Sequence, residues 1–179
     1  MGTAQRRRIE EVIAREVLLL LALAALAAAQ TAMLPRLFGM PPNLLLTLTI
    51  CQALLAGPAN AARWAFYGGL ALDLFAPSPL GAHALALLAA ILAAALPFGR
   101  LSLTNWFVPL LAVLFGALAY VATLGALTSL LVAPLDWRTY LPVVGMPEVL
   151  IALVPALPLF LLMRLIRSRM RGEVPVDVY

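Results

Sequence analysis

The groups that could do chemistry are few: one histidine, His83, one cysteine, Cys51, and eight acidic residues in 179. Nucleophilic or acid–base catalysis needs such groups within mutual reach. The sequence holds no His-Glu-x-x-His pair, no phosphate-cradling glycine loop and no paired acids. Cys51 stands alone inside an apolar run, with neither a disulfide framework nor metal-ligand spacing around it. This inventory predicts no catalytic site, no cofactor and no metal, and argues against an enzyme.

The most informative polar residue is Asp73, within Gly68-Gly69-Leu70-Ala71-Leu72-Asp73-Leu74. An ionisable group among apolar neighbours at membrane depth is costly and normally has a partner or a role. If the stretch is helical, Asp73 sits about 15 Å along from Arg63. A helix opening at Ser78-Pro79, with Ser78 as its cap and Pro79 at its first position, would present free amides and a positive dipole end to it. Gly81 would admit a close backbone, and His83 could add a hydrogen bond. The residues thus suggest a latch between the third and fourth helices. A hydrated residue at an early helix end, or a proton-relay or ion site, are the other readings.

The elements that must position these residues are set by composition. The chain is 64% hydrophobic and 11% charged, with a mean hydropathy of +1.03; soluble domains are about 45–50% apolar and about 25% charged. The expectation is an all-α, polytopic membrane bundle of about six helices, over 17–34, 43–56, 61–75, 79–96, 105–132 and 147–166. A basic stretch, 1–16, precedes it and a basic tail, 167–179, follows. Gly57-Pro58 ends the second run, and Thr104-Asn105 caps the fifth. Asp136, Trp137, Arg138 and Tyr140 read as an interfacial loop, and Pro155 and Pro158 predict a kink in the last helix. Runs two and three are short enough to be thin spans or a re-entrant hairpin. Ala27-Ala28-Ala29 resembles a cleavage site, but the run around it is long for a signal peptide.

All twelve basic residues are arginine. With loops assigned alternately to the two sides, Arg6, Arg7, Arg8, Arg15, Arg63, Arg100, Arg164, Arg167, Arg169 and Arg171 fall on one side, and Arg36 and Arg138 on the other. The positive-inside rule then puts both ends in the cytoplasm. Arginines beside apolar segments point to anionic lipid headgroups rather than nucleic acid. Arg63 and Trp64, like Arg164 and Arg167, read as interfacial anchors. Glu148, after Pro147, suits the dipole at the start of the last helix. Ala82, Ala86, Ala90 and Ala94 form a small-residue stripe, and Ala24 and Ala28 a shorter one; both read as helix-packing faces within the chain or as partner faces.

From Pro42 to Gly81 the elements Pro42-Asn43-Leu44-Leu45-Leu46, Gly57-Pro58, Gly68-Gly69-Leu70-Ala71-Leu72-Asp73-Leu74 and Pro79-Leu80-Gly81 follow in an order and spacing that resembles the rod shape-determining protein MreD family. Many family members carry Asp where this chain has Asn43, which removes a charge there. The resemblance implies a non-catalytic scaffold subunit of the bacterial cell-elongation machinery in the inner (cytoplasmic) membrane. It would bind MreC directly and work beside the RodA glycosyltransferase, a class B penicillin-binding protein and MreB in peptidoglycan synthesis and cell shape. The family is also similar in fold to the S-component of energy-coupling-factor transporters, so the alternative is a vitamin-binding transport subunit. Such a subunit needs an enclosed pocket with convergent polar groups; Asn43, Gln52, Tyr67, Asp73, His83 and Tyr120 read as scattered.

Overall fold

A computed structural model of the chain describes residues 2–35, 39, 41–99, 101 and 105–171. The architecture is all-α: 84% helix, with no strand among the described residues. The helices are α1 (Gly2–Ala32), α2 (Leu44–Ala56), α3 (Pro58–Phe75), α4 (Ala82–Phe98), α5 (Phe107–Leu131), α6 (Trp137–Tyr140), α7 (Met146–Leu153) and α8 (Ala156–Arg171), with a π-helical turn, Leu141–Gly145, joining α6 to α7. Arg36, Arg100 and Thr104 lie outside the described residues.

Two helices are long and apolar enough to cross a membrane, Ile9–Ala32 within α1 and Phe107–Leu131, or three if the bent pair Trp137–Leu153 and Ala156–Arg169 counts as one span. Large apolar side chains face outward on several helices, among them Leu18, Leu74, Leu96 and Leu130. Water would penalise so much apolar surface, whereas hydrocarbon does not. The outside is therefore built for lipid.

α2 sits in the middle. Leu45, Leu46, Thr47, Thr49, Ile50, Cys51, Ala53 and Leu54 are all buried, because α1, α3, α4, α5, α7 and α8 surround it. At 1.5 Å per residue it is only about 20 Å long, but a helix jacketed by protein need not match the hydrocarbon thickness. Successive helices alternate in direction: the end of α1 meets the start of α2 through Gln30 and Leu45, and the end of α3 meets the start of α4 through Asp73 and Gly81.

Several boundaries differ from expectation, each for a local reason. α1 extends back through the basic stretch to Gly2, since nothing between Gly2 and Val17 breaks a helix. α3 starts at Pro58, not 61, because proline at the first helical position lacks an amide that would be unpaired anyway. The expected loop at Asp136–Tyr140 is helical: Asp136 accepts the Arg138 amide at 3.1 Å and the Thr139 hydroxyl at 2.7 Å. The π turn carries this helix past Pro142 into α7, so no helix begins at Pro147. The bend, 40°, falls at Val154–Pro155, where Pro155 withholds its amide; Pro158, in the first turn of α8, withholds one that the helix does not need.

Pro155 supplies no amide to the Ile151 carbonyl, which accepts from Val154 at 3.3 Å, and beside it the Thr47 hydroxyl of α2 donates to the Ala152 carbonyl at 3.1 Å. Thr47→Val keeps the shape and removes the donor. It is expected to lower stability by about 1 kcal/mol, measured as denaturant unfolding in micelles; wild-type stability in the variant would mean that the carbonyl finds another donor.

Candidate functional site

Two helices, α2 and α4, begin at the same end of the bundle, and the first amides of each lack acceptors within their own helix. Side chains from elsewhere supply them. Asp73, on the last turn of α3 and only 4% exposed, accepts the Gly81 amide on Oδ2 at 2.8 Å and the His83 amide on Oδ1 at 2.9 Å. The Ser78 hydroxyl donates to Oδ1 at 3.3 Å. A carboxylate accepting amides at a helix start gains from charge-assisted bonds and from the dipole.

The local reading of this joint needs correcting in two places. Ser78 turns to Asp73 instead of capping α4, and Pro79 precedes the helix, which begins at Ala82. The reason is Gly81, whose φ of 90° interrupts the helical path. A Cβ at Gly81 would meet nothing within 4 Å, so glycine is needed for its backbone angle and not for a close approach. His83 does add a hydrogen bond to Asp73, through its backbone amide, while its ring turns to α5, with Nδ1 2.6 Å from the Tyr120 hydroxyl. Leu80 is exposed.

The start of α2 is closed in the same way. Gln30 of α1 accepts the Leu45 amide at 3.1 Å, and Asn43, which follows the half-buried Pro42, accepts the Leu46 amide at 3.1 Å. The other end of the Asn43 side chain donates to Glu148 Oε1 at 3.4 Å. Glu148 therefore faces the start of α2 and not the start of its own helix, which has no free end there.

Gln30, Asn43, Leu72, His83, Tyr120 and Glu148 surround a cavity of about 190 Å³. Asn43, His83 and Tyr120, which read as scattered, thus converge, and Asp73 joins them through the His83 amide. Gln52 and Tyr67 do not join them: Gln52 faces a lateral groove, and Tyr67 sits beside Phe66 on α3. Sequence reasoning missed Gln30, whose signal was a single amide inside an otherwise apolar run, and gave Glu148 the wrong neighbour. Among the described residues, no group of three or more His, Cys, Asp or Glu side chains could hold a metal.

The remaining candidates divide. Gly68 and Gly69 lie on the buried side of α3, against Leu45 and Ala84 respectively. Ala82, Ala86, Ala90 and Ala94 are at most 2% exposed, so this stripe packs α4 within the bundle and is closed to a partner. Ala24 and Ala28 are half-buried, while Leu23, Ala27 and Gln30 form the inner face of α1. At the opposite end of the bundle, Arg63 pairs with Glu16 at 2.7 Å and with Asn60 at 2.7 Å. Trp64 packs partly into the core, Arg164 is exposed and Arg167 is half-buried. The Arg63 and Glu16 side chains are 53% and 32% exposed. Arg63→Gln is accordingly expected to shift unfolding by no more than about 0.5 kcal/mol; a loss of several times that would assign the pair a structural role.

Comparison with family models, with curated proteins and with solved structures returns no match for this chain.

Proposed function

We propose that the chain is a non-catalytic scaffold of the bacterial inner membrane, a six-span bundle with both ends in the cytoplasm. In this reading it binds MreC and, through it, helps to organise the cell-elongation complex of RodA, a class B penicillin-binding protein and MreB. The six spans take α2, α3 and α4 as short crossings and α6 to α8 as one bent crossing. The clustering of Glu16, Arg63 and Arg167 residues at one end of the bundle and Asp73 and Glu148 at the other supports that alternation.

The observation that carries the reading is the closure of polar groups on helix ends. Asp73, Asn43 and Gln30 accept backbone amides of the chain itself, so their chemistry fixes helices rather than holding a solute. Asn43, Asp73 and Gly81, from three elements of the MreD resemblance, take part in this closure. The polar cavity beside it, about 190 Å³, is smaller than the roughly 300–1,000 Å³ of ordinary small-molecule pockets, and the larger concavities, about 650 and 490 Å³, are lined mostly by apolar side chains, which weighs against the S-component alternative.

The test is purification of the tagged chain from native membranes in nanodiscs, with mass spectrometry of the proteins and small molecules that remain. MreC and cell-wall synthases without a ligand are expected. Recovery of ATPase and coupling subunits with a vitamin would replace the scaffold by the transport reading.

A further inference from the structure

A second concavity opens sideways at the other end of the bundle. α1 leans on α3, and α8 on α2 and α5, leaving a gap over α2 of about 650 Å³. Its floor carries Leu48, Gln52 and Leu55, one face of α2, between Leu23 of α1 and Leu162 of α8. The lining changes character along its length. Leu26, Leu48 and Leu159 mark the deep end; Arg167, Asn60 and Trp64 mark the mouth. From Leu159 to Arg167 the groove runs about 12 Å.

We propose that this groove holds one anionic phospholipid, its phosphate against Arg167 and its acyl chains along α2. Charge complementarity argues for the occupant. Arg63 at the same end is engaged by Glu16, and among the described residues Arg167 is the cation that lines the groove. A basic residue at the cytoplasmic surface attracts anionic lipid, and Trp64 is the amphipathic ring favoured at headgroup depth. Gln52 lies one helical turn, about 6 Å, inside the end of α2. Its amide makes no hydrogen bond among the described residues, and at that depth the ester carbonyls of a lipid would accept from it.

The inference rests on the cytoplasmic placement of both chain ends in that reading but uses none of the motif residues, so it can fail while the scaffold stands.

The test is native mass spectrometry of the full chain in detergent, titrated with phosphatidylglycerol or with phosphatidylcholine. One phosphatidylglycerol is expected to stay bound in preference. Arg167→Gln is expected to weaken its retention about fivefold, the scale of one basic residue beside anionic lipid. Arg164→Gln, on the exposed side of the same helix, should leave it unchanged. Equal losses in the two variants, no preference between headgroups, or a photocrosslink from position 162 in native membranes to another protein instead of lipid would each overturn the proposal.

Discussion

Asp73→Asn is expected to lower the stability of the bundle by about 2–3 kcal/mol, measured as unfolding in mild detergent, and to reduce recovery of membrane partners in parallel. The carboxylate accepts two backbone amides, from Gly81 and His83, at 2.8 and 2.9 Å. Hydrogen bonds to a charged group are each worth about 1.5–3 kcal/mol net. Asparagine keeps one acceptor oxygen and sets an NH₂ against the other amide, so one bond is lost and one donor is buried opposite another donor. Ser78→Ala separates the two parts of the joint: it removes only the 3.3 Å hydroxyl contact and is expected to cost less than about 1 kcal/mol. If Asp73→Asn unfolds like the wild type while Ser78→Ala does not, the carboxylate is not what holds α4 to α3.

How far this joint can be read from the sequence depends on which part is local. Asp73 is legible because one acid inside an apolar stretch must find donors, and a helix start a few residues on supplies them. The register is not legible: Ser78-Pro79 is a good opening pair on propensity alone, and it loses because Gly81 bends the chain through positive φ before the helix can form. Glu148 shows a different limit. Pro147 resembles a first helical residue, but the π turn at Leu141–Gly145, which holds Pro142, runs the helix through into α7, so the carboxylate meets α2 instead of a free end. The apolar runs mark where helices lie, while the central position of α2 follows from tertiary packing that no run length reveals. Likewise the cavity gathers Gln30, Asn43, His83, Tyr120 and Glu148 from five separate helices or their starts, and nothing in the spacing along the chain brings those five together.

Close approach of α3 to α4 gives the second large effect. Gly69→Ala is expected to destabilise the bundle by about 3 kcal/mol, even though alanine is the better helix former by about 1 kcal/mol. A Cβ on Gly69 would lie 2.3 Å from the Ala84 Cα and 2.6 Å from its backbone nitrogen. Those are main-chain atoms of a packed helix, so no rotamer change relieves the clash; α3 and α4 must move apart, and Asp73 must move with them. Ala84→Gly in the same chain removes only the Cβ of that neighbour, so rescue is expected to be partial. The adjacent position is the control. At Gly68 the nearest atom to a new Cβ is the Leu45 Cδ2, at 3.1 Å, and a leucine tip can shift by a few tenths of an ångström. Gly68→Ala is therefore expected to be near neutral, the helical gain offsetting the crowding. Detergent unfolding of the two single variants side by side decides the matter: equal stabilities would mean that the two helices do not meet backbone to backbone at Gly69, whereas a loss confined to Gly69→Ala fixes the contact on which the geometry of Asp73 depends.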